Sequence, residues 1–183
     1  DHPGLSYIRT TEPGNAPAIV TDSKYGFRGI VRDGQAVLIS TLINTATNPD
    51  PYPERGIHEI TLALGLFPDR PAKMERAAES AVRSLTPVST GSHPGDLAPE
   101  GRFLDIDAPE SVVSAVYADE NAMYIRAYAV SDAPTALTVH TGAVKDACLV
   151  NLAGEIVGSC RTDGGDVSAE LPPHGIVTLK ITK

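Results

Sequence analysis

The chain of 183 residues contains no tryptophan, and only 5% of its residues are aromatic. A carbohydrate-binding module that works alone usually presents a flat aromatic platform on which sugar rings stack. The tyrosines show no grouping in the sequence that requires such a platform, as judged from Tyr7, Tyr52, Tyr117, Tyr124 and Tyr128. The shortage of aromatic residues therefore weakens the hypothesis of an independent lectin.

Basic residues are also scarce, since 15 Lys and Arg stand against 23 Asp and Glu, for a formal net charge of −8. A chain of this charge repels phosphate backbones and anionic membrane surfaces. No apolar run approaches the roughly 20 residues that span a bilayer, and the N-terminus lacks the pattern of a signal peptide. We therefore expect neither nucleic acid nor a membrane as a partner. The first residue, Asp1, predicts a fragment or a processed chain.

The two cysteines, Cys148 and Cys160, are predicted to lie on different strands of one sheet. They have no histidines at ligand spacing beside them, which argues against a metal site. A disulfide and a pair of small core thiols in a reducing compartment both remain open, and we favour the thiols. Neither cysteine has the surroundings of an activated nucleophile.

Strand patterns dominate the first half of the chain. Residues 27–31 and 36–43 are β-branched or apolar runs, and the Asp33-Gly34 pair between them predicts a tight hairpin turn. Residues 57–67 alternate with a period of two, which predicts a strand with one face in the core. The residues predicted for that core face are Ile60, Leu62, Leu64 and Leu66.

One amphipathic helix is predicted near 71–85, because apolar residues recur there at three- and four-residue steps. They are Met74, Ala77, Ala78, Ala81, Val82 and Leu85. Asp69 and Pro71 supply a start signal. Residues 86–101 are rich in Pro, Gly and Ser, which indicates a loop or an interdomain crossing. We therefore predict a domain over 1–90, a linker over 91–101 and a second domain over 102–183.

The second half returns to short strands at intervals of about ten residues, a spacing typical of an antiparallel sandwich. In the last of them Val177, Leu179 and Ile181 share one face. The fold class predicted is therefore mainly β, built of antiparallel β-sandwiches with one helix. The eight predicted strands are 103–106, 112–117, 123–130, 136–140, 147–152, 156–160, 167–171 and 176–181.

Three short segments of the first half carry a resemblance to a known family. Residues 22–27 read Asp-Ser-Lys-Tyr-Gly-Phe, residues 49–51 read Pro-Asp-Pro, and residues 56–58 read Gly-Ile-His. In this order and spacing they resemble the β-rich C-terminal part of the retaining α-mannosidases of glycoside hydrolase family 38. The resemblance covers nearly the whole chain from Ala18. In the second half it is less specific, and Tyr117 stands where the family usually has lysine.

The resemblance implies a galactose-mutarotase-like supersandwich portion followed by a smaller immunoglobulin-like sandwich. It implies a non-catalytic domain that scaffolds the catalytic domain of the same parent polypeptide and helps to line its mannoside cleft. In that family an aspartate nucleophile, a second carboxylic acid and a zinc ion perform hydrolysis. No His-x-Asp zinc motif occurs here, so we expect zinc in the parent's catalytic domain and an inactive isolated chain. Further expectations are contacts between copies and a location in the bacterial cytoplasm.

The loop from 47 to 58 is the best candidate for contact with sugar. Asp50, Glu54, Arg55 and His58 gather hydrogen-bonding side chains among prolines that restrict the backbone. In some relatives an arginine before a glycine in this loop reaches the active-site cleft, and Arg55-Gly56 occupies that place. The simpler interpretation is that Arg55 and His58 anchor the loop. Tyr25, beside Lys24, is a second candidate for contact with a ligand. The simpler interpretation is that Asp22 and Gly26 make the turn while Tyr25 and Phe27 pack at an interface.

Two pairs of carboxylates superficially suggest an acid and a base, namely Asp105 with Asp107 and Asp119 with Glu120. Nothing near them predicts the split in acidity that such catalysis requires, so we interpret both pairs as solvated surface. We expect an exposed apolar patch around Tyr25, Phe27 and residues 51–53. The leading alternative function is a freestanding carbohydrate-binding or adhesive β-sandwich module, and a structural immunoglobulin-like spacer is a third hypothesis.

Overall fold

A computed structural model describes residues 2–83, 85–96 and 98–182 of the chain. The protein is mainly β, with 46% of residues in strands and 7% in helix. It divides into two compact units, one up to Pro87 and one from Val88. Ser84 of the predicted helix, Leu97 of the predicted linker and the outer domain borders Asp1 and Lys183 lie outside the described residues. In the part described, no helix has both the length and the apolar character needed to cross a membrane.

The first unit contains two three-stranded antiparallel sheets and one helix. One sheet has the order β1-β4-β5, and the other has the order β2-β3-β6. The Asp33-Gly34 turn joins β4 and β5, both residues have positive φ, and the predicted hairpin is confirmed. The elements are β1 (His2–Pro3), β2 (Tyr7–Arg9), β3 (Asn15–Thr21), β4 (Gly26–Arg32), β5 (Gln35–Ser40), β6 (Leu62–Pro68) and α1 (Pro71–Val82).

Helix α1 begins with Pro71 in its first turn, where a missing N–H costs nothing. It ends at Val82, three residues before the predicted end, and Leu85 is almost fully exposed. Its buried side chains pack on the side of β3 that carries Ala18 and Val20. The Tyr7 hydroxyl donates a hydrogen bond to Glu75 across this contact, with 3.1 Å between the oxygens. The helix therefore covers one face of the β2-β3-β6 sheet.

The prediction for the leucines of β6 is wrong. Leu62, Leu64 and Leu66 are all exposed, and Leu64 retains 75% of its accessible surface. Residues of the opposite face, Ala63 and Phe67, pack against the core under the helix instead. The period of two in the sequence shows which residues of β6 share a face. The packing of α1 determines which of the two faces is buried. Residues 57–61 also lie outside the strand.

The second unit is a two-layer sandwich. A four-stranded sheet of order β13-β14-β10-β7 and a five-stranded sheet of order β12-β11-β15-β9-β8 bury one shared core. Its strands are β7 (Asp105–Asp107), β8 (Ser111–Ala118), β9 (Ala122–Ala129), β10 (Thr135–His140), β11 (Asp146–Val150), β12 (Ile156–Ser159), β13 (Arg161–Asp163), β14 (Asp166–Leu171) and β15 (Ile176–Thr182). Each predicted strand overlaps one of these, and β13 is the strand that the sequence did not reveal.

A histidine joins three strands of the four-stranded sheet. His140 on β10 contacts Asp166 on β14 through Nδ1 at 2.9 Å, and Asp107 on β7 through Nε2 at 3.3 Å. Asp105 stands directly opposite His140 in the register. The hydrogen bonds to Asp166 and then to Asp107 raise the pKa of His140 above its usual value. In its protonated form His140 donates to both carboxylates and so stabilises the pairing of β7, the short edge strand.

The first prediction separates the buried and exposed positions of the first unit. Met74→Ala removes a fully buried side chain and should lower the free energy of unfolding by about 2–5 kcal/mol. Leu64→Ala should change it by no more than about 0.5 kcal/mol, because its side chain is exposed. Urea unfolding followed by circular dichroism measures both. A loss at Leu64 as large as that at Met74 would contradict the observed orientation of β6.

The second prediction concerns pH. Because the folded pKa of His140 is raised, its contribution to stability is fully present below the unfolded value of about 6.5. That contribution is lost as pH rises through the folded pKa. The midpoint of thermal unfolding for the wild-type chain should exceed that of His140→Gln most at pH 5.5–6. The difference should shrink towards pH 8.5, and a constant difference would rule out the charged histidine as its cause.

Candidate functional site

The turn between β3 and β4 holds Lys24 and Tyr25 in place. Thr21, at the end of β3, is buried, and its hydroxyl accepts hydrogen bonds from the backbone N–H groups of Ser23 and Lys24 at 3.3 and 3.2 Å. The carbonyl of Tyr25 accepts a further bond from the N–H of Gly4 at 3.0 Å. The Tyr25 side chain stays 74% exposed. The turn thus presents a cation and a phenol to solvent on a fixed backbone.

A glycine brings the end of β5 close to this turn. The N–H of Thr41 donates to the carbonyl of Gly26 at 2.8 Å. A Cβ at position 26 would lie 3.2 Å from the Cβ of Thr41, closer than most side chains approach. Glycine at position 26 therefore permits the close approach of Thr41. This contact places residues 41–44 beside the turn.

The loop from 47 to 58 is held by its own side chains. Asp50 accepts a hydrogen bond from the backbone N–H of Tyr52 at 2.8 Å, which makes a local Asx turn. The guanidinium carbon of Arg55 lies 4.8 Å from the centre of the Tyr52 ring. His58 Nε2 donates to the carbonyl of Glu54 at 2.8 Å. These contacts fix the loop and leave the Glu54 side chain partly exposed.

The turn, the end of β5 and the loop meet at one groove of about 290 Å³. This volume is close to the lower limit of small-molecule pockets, about 300–1,000 Å³. Its polar groups are an ammonium, a carboxylate, an amide and three hydroxyls, all suited to bind a polyhydroxylated ligand. The lining residues are Ser23, Lys24, Tyr25, Gly26, Thr41, Leu42, Ile43, Asn44 and Glu54.

Of the four predicted contact residues, Tyr25 lines the groove. Asp50, Arg55 and His58 lie in the loop that supplies Glu54, but they do not line the groove themselves. The contacts of Arg55 and His58 agree with the simpler interpretation that they anchor the loop. Thr41 and Asn44, which also line the groove, were not predicted as site residues. The change to polar residues just after β5 is the sequence feature that could have indicated them.

The polar groups that line the groove are suited to hydrogen bonding. Glycoside hydrolysis uses two carboxyl groups on either side of the bond. Among the described residues that line the groove, Glu54 is the one carboxylate. The described residues also contain no group of three or more His, Cys, Asp or Glu placed to hold a metal ion. Hydrogen bonding to hydroxyls is the chemistry that this arrangement supplies.

The carboxylates of the second unit have structural partners. Asp105 pairs with Arg102 at 3.0 Å, and Asp107 contacts His140. Asp119 accepts bonds from the backbone N–H groups of Asn121 and Ala122, both at 2.8 Å. The bond from Asn121, followed by those from Tyr124 and Ala122, lowers the pKa of Asp119. A carboxyl group held in its ionised form is unsuited to act as a general acid.

The structure corrects two expectations about aromatic residues. Phe27 is 97% buried, with only 3% of its surface exposed, so it belongs to the interior of the first unit rather than to a surface patch. Tyr25 and Tyr52 remain exposed. In the second unit Tyr117 and Tyr124 are stacked, with ring centres 4.9 Å apart and planes 5° from parallel. These two tyrosines are therefore grouped, although their spacing in the sequence does not show it.

Cys148 and Cys160 are both free and partly buried. Cys148 lies on β11, whereas Cys160 lies between β12 and β13 rather than on a strand, which corrects its predicted place. Burial, with smaller effects of Cys148 and Asp146, raises the pKa of the Cys160 thiol to about 11. Cys160 is therefore a poor nucleophile near neutral pH.

The third prediction follows from this thiol. At pH 8, Cys160 in the folded chain should react with iodoacetamide at least about tenfold more slowly than Cys160 in the urea-unfolded chain, because little thiolate is present. Peptide mass spectrometry after timed labelling measures the two rates at the same residue. Equal rates of labelling would show that folding does not suppress ionisation of the Cys160 thiol.

Comparison with protein-family models and with curated proteins gives no match for this chain. The resemblance to the α-mannosidases therefore rests on the residues quoted above.

Proposed function

We propose that this chain is the non-catalytic C-terminal β region of a retaining, zinc-dependent α-mannosidase resembling glycoside hydrolase family 38. One observation carries the proposal. Segment 22–27, on which the resemblance rests, contributes Tyr25 to the groove, and the stretch between the other two segments, 49–51 and 56–58, contributes Glu54 although it lies more than twenty residues further along the chain. Segments that share a binding site in this way have a functional reason to occur together.

In this role the chain scaffolds the catalytic domain of the same polypeptide and supplies part of the wall of its sugar cleft. The nucleophile and the zinc ion belong to that catalytic domain. Glu54 and Lys24 offer charge-assisted hydrogen bonds to mannoside hydroxyls, which are stronger than neutral ones. Arg55, stacked on Tyr52, stands next to Glu54 in the same loop. The isolated chain binds sugar weakly at most and does not hydrolyse it.

The resemblance also supports a bacterial cytoplasmic location and contacts between copies of the parent. The exposed apolar side chains of the first unit are suited to such packing. They include Tyr25, Tyr52 and the leucines of β6. Covering them against the catalytic domain or another copy would remove apolar surface from water.

The fourth prediction is a complementation assay. The chain is mixed with the separately expressed upstream portion of its parent and zinc, and hydrolysis of an aryl α-mannoside is followed. Activity should appear only in the mixture. Glu54→Gln should raise KM at least about tenfold, because loss of a hydrogen bond to a charged group costs roughly 1.5–3 kcal/mol.

The matched control is Glu59→Gln, which alters an exposed carboxylate five residues away in the same unit. It should leave KM unchanged. Full activity from the upstream portion alone would make this chain dispensable for catalysis. Equal changes in KM for the two glutamine variants would show that the groove is not part of the sugar cleft.

A freestanding carbohydrate-binding or adhesive module is the second candidate. The exposure of Tyr25 favours it, since in the isolated chain the groove is open to ligand. Isothermal titration of the isolated chain with methyl α-mannoside tests this function directly. Binding that Glu54→Gln abolishes, together with no complementation, would establish the module in place of the enzyme region.

A further inference from the structure

The outer face of the five-stranded sheet in the second unit carries a row of aromatic and basic side chains. Tyr117, Tyr124 and Lys180 are directly opposite one another on β8, β9 and β15. Arg126 is two residues beyond Tyr124 on β9, and it stands opposite Thr178. The alternate residues of β9 and β15, such as Ile125 and Leu179, lie in the core. The row therefore projects away from the core.

The two tyrosines form a fixed support on this face. Their rings are stacked, and the Tyr124 hydroxyl donates to Asp119 at 2.8 Å. The Lys180 ammonium lies 5.9 Å from the centre of the Tyr124 ring. Strand β8 is the last in its sheet, so no further strand covers the side of Tyr117 that points away from Tyr124. Tyr117 is 44% exposed, and part of its ring is available for contact with a ligand.

Arg126 is a half-buried cation whose position is set by neutral groups. Its Nε donates to the hydroxyl of Thr178 at 3.1 Å, and one Nη donates weakly to the Tyr117 hydroxyl at 3.5 Å. Thr178 is only 2% exposed. The guanidinium carbon lies 5.9 Å from the centre of the Tyr117 ring. The fork is thereby oriented before any ligand arrives.

No carboxylate of the described residues forms an ion pair with Arg126. Other arginines of the chain have such partners, as in the pairs of Arg83 with Glu79 and Arg102 with Asp105. A partly buried charge without a partner is unfavourable, and an acidic chain offers many carboxylates that might have paired with it. The remaining N–H groups of the guanidinium match the two oxygens of a carboxylate.

We propose that Arg126 and Tyr117, with Lys180 beside them, form a binding site for a sugar that carries a carboxylate on its ring, a uronic acid. The carboxylate binds the guanidinium fork, and the pyranose ring lies against the exposed part of Tyr117. The guanidinium carbon and the centre of the Tyr117 ring are 5.9 Å apart, so one acid that carries a ring can contact both. The tyrosine hydroxyls and the Lys180 ammonium supply partners for the sugar hydroxyls. These partners favour a uronic acid over an aromatic acid such as benzoate, which has no ring hydroxyls.

The site goes beyond the proposed function and is independent of it. All of its residues belong to the second unit, whereas the Tyr25–Glu54 groove belongs to the first. Binding here is measured without any catalytic partner. A failure of the complementation assay therefore says nothing about this site, and the reverse holds as well.

The test is an NMR titration of the full chain with the methyl glycoside of glucuronic acid. We expect saturable shifts of the Arg126 Nε–H signal and of amides in β8 and β9, with a dissociation constant in the millimolar range. Methyl glucoside, the uncharged analogue without the carboxylate, should bind at least tenfold more weakly. Added salt should weaken glucuronide binding, since the attraction is partly ionic.

Three variants locate the site. Arg126→Gln should reduce glucuronide binding at least tenfold, and Arg126→Lys should give an intermediate loss because it keeps the charge without the fork. Arg161→Gln, which removes an exposed arginine of the other sheet in the same unit, should have no effect. The amide spectrum of each variant shows whether its fold is intact. If both Arg126 variants unfold, Tyr117→Leu serves instead, with a loss of several-fold expected.

Equal binding of glucoside and glucuronide would overturn the role of the carboxylate. Binding of benzoate or acetate as tight as that of the glucuronide would overturn the assignment to a sugar. Tighter binding of a glutamate-rich peptide would assign the face to an acidic protein segment instead. If the folded Arg126→Gln variant binds the glucuronide as tightly as the wild-type chain, Arg126 is not part of the site.

Discussion

The packing of helix α1 on one side of β3 determines the organisation of the first unit. Ala18 and Val20 on that side, with Met74 and Ala78 of the helix, exclude water from a small core. Once that side of β3 is buried, the register of β3 with β6 turns Leu62, Leu64 and Leu66 to the other side. The same strand ends at Thr21, whose buried hydroxyl orients the turn that carries Lys24 and Tyr25. Strand β3 thus contributes both to the core under the helix and to the turn that lines the candidate groove.

Features that follow from local spacing were predictable from the sequence. The Asp33-Gly34 turn requires residues that accept positive φ, and eight strands of the second unit repeat at a regular interval. In β15 the side assigned to the core, with Leu179 and Ile181, is also the side observed. There the charged Lys180 marks the outer side, whereas β6 offers no charged residue to distinguish its two faces. Hydrophobic alternation without a charge leaves the direction of burial to tertiary contacts.

The sites depend more heavily on contacts between distant segments. Asp50, Arg55 and His58 were predicted because polar side chains in a proline-rich loop suggest binding, and all three contact neighbours within the loop. Glu54, from the same loop, lines the groove, and its φ of 52° lies in the left-handed region. Tyr117 meets Tyr124 only through the register of β8 and β9, which shifts between Val113 and Ala115. No count of residue spacing predicts such a shift.

Strand β6 also has consequences for how the protein behaves in solution. It is an edge strand with open backbone hydrogen-bonding positions, and no charged residue lies between Leu62 and Pro68. Natural edge strands commonly carry a lysine or a bulge that discourages pairing with another chain. The net charge of −8 keeps copies apart at low ionic strength, but at physiological salt its reach falls to about 8 Å. Charge repulsion therefore protects the edge of this seven-residue strand less as salt rises.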